Sequence, residues 1–330
     1  MTVWVKAPAR LHLGVLDPSG SSGRWFAGLG VALEEPNVVV SAEPAKSLEV
    51  YGDQREQAHE VALRFVDRYG PVGARLTVHA ALPRHVGLGS GTQLALSVAE
   101  ALARVRGLRL SVAQLARVAG RGRRSGVGTW VYRYGGLVVE GGHRAKGDGV
   151  LPPLLLHRPL PEHWWFVVAC PQGRQGPSGV EEDRALEGIL PVPVEVVDRM
   201  CRIVLLGLLP ALEEADGRAF GAALTELQAL VGTVFAPVQG SRYADPLAEE
   251  LLEAMCRSGA LGGGQSSWGP VVYGLAEGEA TAREVAQTLR TRYEDVTVWV
   301  SRPSRMGRRI WTNRGPNLRS GIMGASNAHA

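Results

Sequence analysis

The sequence predicts an α+β protein of two domains, on three observations. Strand and helix signals alternate in both halves of the chain, a proline-dense stretch lies near the middle, and a glycine-rich loop opens what reads as a strong helix. With 330 residues, 45% of them hydrophobic and 21% charged, the chain is long enough for two cores. Leu151-Pro152-Pro153, followed by Pro159 and Pro161, places the joint within 150–163, and the expected domains are residues 1–160 and 161–330.

In chain order, residues 2–6 and 29–41 carry the apolar and β-branched runs of strands, 54–69 has helical spacing, and 76–79 is strand-like. Residues 92–106 and 111–119 read as helices, and the glycine-broken run 132–140 as paired strands. The second half opens with a buried strand at 164–170 and a polar loop at 171–183. Helices are expected near 195–215, 217–232 and 246–257, then a second glycine cluster at 259–269, a strand at 271–273, a helix at 279–292 and a strand at 296–300. In the polar loop, Arg174 and Pro177-Ser178-Gly179 precede Glu181, Glu182 and Asp183, which fits either a lid over a cleft or an acid-rich helix start. The last dozen residues read as a frayed tail.

Composition narrows the function classes. The most apolar run, 203–210, is too short to span a bilayer, and the start lacks a basic-then-apolar leader, so a cytoplasmic protein without membrane contact is expected. Three cysteines, none in a CxxC pair, argue against a disulfide framework or a cysteine-built zinc site. Lys6, Lys46 and Lys146 are the only lysines, so the net charge of +4 rests on arginine. Arginine grips phosphate and carboxylate bidentately, although so uniform a bias also fits genome base composition. The arginines are scattered rather than striped, and no nucleic-acid partner is expected.

The loop Pro83-Arg84-His85-Val86-Gly87-Leu88-Gly89-Ser90-Gly91-Thr92 points to a phosphate. A helix start offers unpaired N–H groups and the positive end of a dipole. Counting from Gly87, the sixth position of a dinucleotide fingerprint is Thr92 rather than glycine, and the lysine of a Walker loop is missing. A flexible turn with no ligand is the competing reading.

Three segments, Lys6-Ala7-Pro8-Ala9-Arg10-Leu11-His12-Leu13-Gly14, the loop 83–92 and the cluster 259–269, resemble the three motifs of the GHMP kinase superfamily. The resemblance implies a GHMP fold: an N-terminal domain like the second domain of ribosomal protein S5, packed on a ferredoxin-like C-terminal domain. It does not carry the kinase chemistry with it. Where such kinases place a catalytic aspartate, Arg124-Ser125-Gly126-Val127-Gly128 has Gly128, and where they place a magnesium-binding glutamate there is Arg117. Losing both removes the base and a metal ligand of phosphoryl transfer.

Gly87 to Gln93, residues 121–129, Gly135-Gly136, Gly141-Gly142-His143 and Ser266-Ser267-Trp268-Gly269-Pro270 resemble the β-ribofuranosylaminobenzene 5'-phosphate synthase branch. The resemblance implies a magnesium-dependent transferase of methanopterin biosynthesis, joining 4-aminobenzoate to phosphoribosyl pyrophosphate with loss of CO2 and pyrophosphate. Relatives in C-nucleoside pathways use an aminopyrazole carboxylate by the same chemistry, and the sequence does not separate the two acceptors. Such a reaction needs a grip on pyrophosphate and 5'-phosphate and a slot for a flat carboxylate, but no strong base.

Candidate residues follow. Backbone N–H groups of Gly87, Leu88, Gly89, Ser90, Gly91 and Thr92 take the pyrophosphate, with Ser90 as a magnesium ligand. Arg10 or Arg24 takes phosphate or carboxylate unless it is a surface charge, and Arg123 and Arg124 form the next positive patch unless their loop is merely solvated. His12 and His85 are candidates to orient the amino group or the leaving oxygen, against a structural role for each. Asp17, before Pro18, is a magnesium candidate or a turn aspartate. Trp25, Phe26 and Trp268 are candidate rings against the acceptor, and Gly263, Gly264, Ser266 and Ser267 approach phosphate from the second domain. The stretch 264–268 falls short of a hydrolase G-x-S-x-G and precedes a strand rather than following one. An ATP-dependent kinase and an inactive phosphate-binding module are the competing functions, and a homodimer is the default expectation.

Overall fold

Strict alternation sets the first hairpin. Val3, Val5, Ala7, Ala9, Leu11 and Leu13 are all buried along one face of β1 (Val3–Asp17), whose partner β2 (Phe26–Pro44) runs antiparallel from Val3↔Ala42 to Asp17↔Phe26. The register shifts between His12 and Gly14, an irregularity that re-aims the side chains on either side of it. In this computed structural model, which describes residues 1–144, 149–177, 179–189 and 191–313, the hairpin is the spine of the first half.

Around it, β3 (Leu48–Gly52), α1 (Arg55–Tyr69) and β4 (Ala74–Ala80) make a parallel crossover. Next comes α2 (Ser90–Val105), nearly every residue of which is buried against β1, β2 and β4, then α3 (Val112–Ala119) and α4 (Val127–Tyr134). With β5 (Leu137–Glu140) paired to β2, β6 (Leu154–Arg158) paired to β5, and the last described strand added beside β1, the sheet has seven strands among the described residues.

The chain enters a second sheet at β7 (Trp164–Pro171). There follow α5 (Val180–Gly188), α6 (Val194–Ile203), a π turn at Val204–Leu208, α7 (Leu209–Glu213), α8 (Gly217–Gln239) and α9 (Leu247–Arg257). After them come β8 (Gly262–Gln265), β9 (Val272–Glu277), α10 (Glu279–Arg292) and β10 (Val296–Ser301), and β11 (Arg309–Thr312) returns to β1. The spatial order β10-β7-β9-β8, antiparallel throughout, is the expected ferredoxin-like arrangement. Val167 and Ala169 of β7 pack with α9 and α10, whereas Phe166, Val168 and Cys170 join α8 in the core shared with the first sheet. By length and composition α8 is apolar enough to cross a bilayer, yet its buried residues pack on β8 and β1.

Several expectations need correction. Of the run 132–140, only Leu137–Glu140 is a strand; residues 132–134 close a helix, because Val127 and Val131, one turn apart, bury together against Ala32 and Val138, and Gly135 at φ +75° stops it. The proline-rich joint contains β6, and the late glycine cluster contains β8. The polar loop ends in a helix start at Val180, with Glu181 in its first turn; Ser178 and the side chains of Glu182 and Asp183 lie outside the described residues, as does the expected tail.

Contact between α8 and β8 depends on small residues. A Cβ on Gly221 would lie 2.3 Å from the carbonyl oxygen of Leu261, which is backbone and cannot move aside. Gly221→Ala is therefore expected to lower stability by about 1–3 kcal/mol in denaturant unfolding; an unchanged midpoint would contradict the packing described.

Candidate active site

The glycine loop is turned by three residues in the left-handed region, His85 (φ +56°), Gly87 (+98°) and Gly89 (+76°), and α2 starts at Ser90 with no side chain capping its first turn. Gly87 has no room for a side chain, since a Cβ there would sit 2.2 Å from the carbonyl oxygen of Ser266. The loop is sewn to both sheets. Arg10 donates from its backbone N–H to Leu88 (3.0 Å) and from its guanidinium to the Gly87 carbonyl (3.1 Å). Ser266 Oγ donates to that same carbonyl (2.7 Å) and accepts from the His12 N–H (2.9 Å), while the Ser267 N–H donates to the His12 carbonyl (3.2 Å).

Between the two sheets lies a cavity open to solvent on one side. Its polar lining includes Arg10, His12, Arg124, Ser125 and Ser267; its apolar lining includes Phe26, Phe235 and Trp268, the last two packed edge to face with ring centroids 4.6 Å apart. At the first turn of α2, Arg121 stands so close that a Cβ on Gly91 would lie 2.7 Å from its guanidinium. A helix start and arginines, features suited to an anion, thus sit beside an aromatic-lined cavity.

Of the sequence-predicted residues, the cavity brings together Arg10, His12, Arg124, Ser267, Phe26 and Trp268, with residues 87–92 adjacent through Arg10. Others stand elsewhere. Asp17 is not placed as a metal ligand: its carboxylate accepts from the backbone N–H groups of Ser21 and Ser22 and the hydroxyls of Ser19, Ser21 and Ser22, closing the hairpin turn. Burial pushes its pKa up, but those hydrogen bonds outweigh burial and hold it below the usual value. Arg24 donates to the carbonyls of Gly141 and Gly142, and Trp25 covers the turn at Gly20, so Phe26 rather than Trp25 faces the cavity. His85 serves the loop's bend, its carbonyl accepting from Gly176 (2.7 Å), and Arg123 is exposed. Gly263 and Gly264 are strand residues, small because Tyr273 and Gln228 crowd them rather than to admit phosphate; a Cβ on Gly264 would meet the Gln228 side chain at 2.2 Å. Ser266, fully buried, is a clamp between the sheets.

Gly128 occupies the first turn of α4, where a Cβ would lie 3.2 Å from Thr92 Cγ2, and its carbonyl accepts from Gln93 Nε2 (2.9 Å). Arg117 is exposed on α3. Among the described residues no three His, Cys, Asp or Glu side chains converge to hold a metal, and Ser90 stands at the start of α2.

Sequence reasoning passed over Glu140. It is fully buried at the end of β5, accepts from the N–H groups of Gly142 (2.6 Å) and Gly126 (3.2 Å), and lies 3.4 Å from Ser125 Oγ. Burial pushes its carboxyl up to about 7, against the pull of these donors and of Arg24. His12 is held well below its usual value by burial and then by the charge of Arg10, so it is a neutral imidazole. The one sequence signal was an acid closing the apolar run Leu137-Val138-Val139.

Residues 56–129 match the GHMP kinases N terminal domain and residues 208–295 the GHMP kinases C terminal domain. A protein named β-ribofuranosylphenol 5'-phosphate synthase from Methanothermobacter thermautotrophicus is 34% identical over 294 residues, covering 83% of this chain and 88% of its own. One of the same name from Archaeoglobus fulgidus is 35% identical over 287 residues, covering 84% and 88%. The crystal structure of homoserine kinase from Cytophaga hutchinsonii, 18% identical, superposes with a TM-score of 0.64 over 94% of this chain and 97% of its own, a likeness of fold.

Ser266→Ala would remove a buried hydroxyl that both donates and accepts. It is expected to cost about 1–3 kcal/mol of unfolding free energy. Unchanged unfolding would mean that the sheets are joined by other contacts.

Proposed function

The chain belongs to the β-ribofuranosylphenol 5'-phosphate synthase family of GHMP-fold proteins, and we propose that it is a decarboxylating C-ribosyltransferase joining phosphoribosyl pyrophosphate to an aromatic carboxylate. The observation that carries this reading over phosphoryl transfer is Gly128: where a kinase needs its base there is a glycine packed on Thr92, while the phosphate-binding helix start stays intact.

In this reading the start of α2, with Arg121 above it, holds the diphosphate, and Arg10 and Arg124 meet the remaining anions of the two substrates. Magnesium enters on the diphosphate as part of the substrate, since that ion commonly binds through substrate phosphates and keeps its waters. Phe26, Phe235 and Trp268 flank the acceptor ring. As the C–O bond to diphosphate breaks, positive charge grows on the ribose and the ring carbon bearing the carboxylate bonds to it. Loss of CO2 then restores aromaticity. Fixed cations that stabilise the departing diphosphate supply most of the catalysis.

The phenol in the relatives' name supports a para-hydroxy acceptor, with a para-amino acceptor as the alternative that the same slot admits. Purified protein given magnesium, phosphoribosyl pyrophosphate and carboxyl-labelled 4-hydroxybenzoate is expected to release labelled CO2 and pyrophosphate in equal amounts. Turnover of 4-aminobenzoate or an aminopyrazole carboxylate alone would reassign the acceptor. ATP-dependent phosphorylation of an alcohol with no CO2 release would overturn the reading.

Arg124→Ala is expected to lower kcat/KM on the order of 100-fold, as loss of one fixed donor does at comparable sites. A change below about threefold, measured in the same assay, would take Arg124 out of the substrate's reach.

A further inference from the structure

Three side chains from separate elements form a line at the cavity wall. His12 Nε2, on β1, lies 3.2 Å from Ser125 Oγ, just ahead of α4, and Ser125 Oγ lies 3.4 Å from Glu140 Oε1 at the end of β5. His12 and Ser125 line the cavity, and Glu140 stands behind them. His12 lines the cavity, and with Nε2 engaged by Ser125, Nδ1 is the ring nitrogen for which no hydrogen bond is seen among the described residues, so it is the one available to a ligand.

Proton counting gives the line two states. Ser125 Oγ already accepts from the Val127 N–H at 3.2 Å and has a single proton to give. With Glu140 ionised, Ser125 donates to the carboxylate, His12 must donate through Nε2–H, and Nδ1 presents a lone pair to the cavity. With Glu140 protonated, the carboxyl donates to Ser125, Ser125 turns to Nε2, and Nδ1 carries the proton. The first state is a base toward the cavity. The second is not.

We propose that His12 is the base that takes the proton from the hydroxyl of a hydroxy-aromatic acceptor, and that Ser125 and Glu140 are positioning residues that hold it in the Nε2–H tautomer. This rests on the reaction proposed above. The acceptor O–H bond breaks and an Nδ1–H bond forms; the freed oxygen pair pushes through the ring, whose carboxylate-bearing carbon bonds to ribose C1 as diphosphate leaves. The pair released with CO2 restores the ring and returns the oxygen to a phenolate, which takes its proton back from Nδ1. No net proton is consumed. A para-amino acceptor pushes from its nitrogen pair without losing a proton, and so has less need of the relay.

The groups facing Glu140 are Ser125, the N–H groups of Gly126 and Gly142, and Arg24 from the hairpin turn; Arg10, which lines the same cavity, acts on His12. With Glu140 titrating near 7 and His12 neutral throughout, the base tautomer fills as pH rises through about 7.

Two measurements on the full chain test this. Histidine 15N shifts between about pH 6 and 8.5 should show His12 changing tautomer in wild type and losing that change in both Glu140→Gln and Ser125→Ala. In the CO2 assay both variants should lower the ratio of 4-hydroxybenzoate to 4-aminobenzoate turnover through kcat, on the order of 100-fold, and flatten the pH limb near 7. Ser125→Ala leaves Glu140 its backbone donors, so it guards against a folding defect in the Gln variant. A His12 tautomer that never changes, or both acceptors falling together in folded variants, would overturn the relay. Wild type that turns over neither acceptor yet shows the tautomer change would overturn the proposed reaction instead.

Discussion

Everything in the cleft depends on one buried hydroxyl. Ser266 Oγ donates to the carbonyl of Gly87 and accepts from the backbone of His12, so the phosphate loop, the central hairpin and the second sheet meet at a single atom. Such closeness is possible because Gly87 has no side chain, and it fixes the loop's distance from β1 to within a hydrogen bond. A hydroxyl serves here because one oxygen can both give and accept while buried, leaving neither partner unsatisfied.

Charge in the cleft is distributed unevenly. Arginines approach from β1 and from the segment before α4, whereas the acids stand back, Asp17 held in its turn and Glu140 walled in by backbone donors. Such an arrangement suits an anionic ligand, since arginines line the cleft and no described carboxylate does. The start of α2 offers its N–H groups through backbone geometry alone, independent of the residues Arg117 and Gly128.

Motifs with local spacing were legible in the sequence, and features made by distant partners were not. The fold followed from three glycine-containing segments, and Arg10, His12, Arg124 and Trp268 come together because those segments converge. Arg24 looked like a ligand because its partners, two carbonyls more than a hundred residues away, leave no trace in sequence, whereas the turn alternative for Asp17 was legible in the serines that follow it. Phe235 was invisible for a different reason: it belongs to the apolar face of α8, and only the approach of Trp268 distinguishes it from its neighbours. Glu140 needed the structure too, since an acid's environment decides its chemistry and sequence does not display burial.

The return of the chain at its far end has a mechanical meaning. After β10 the backbone leaves the second sheet, Ser304 exchanges hydrogen bonds with Ala32 and Gly136, Arg308 donates to the Tyr132 carbonyl, and β11 lies down beside β1. The lobes are therefore joined by two straps, one before β7 and one after β10. A single strap would let one lobe swivel about it; a second, hydrogen-bonded to the first lobe along its length, opposes that rotation and keeps the two walls of the cleft in register.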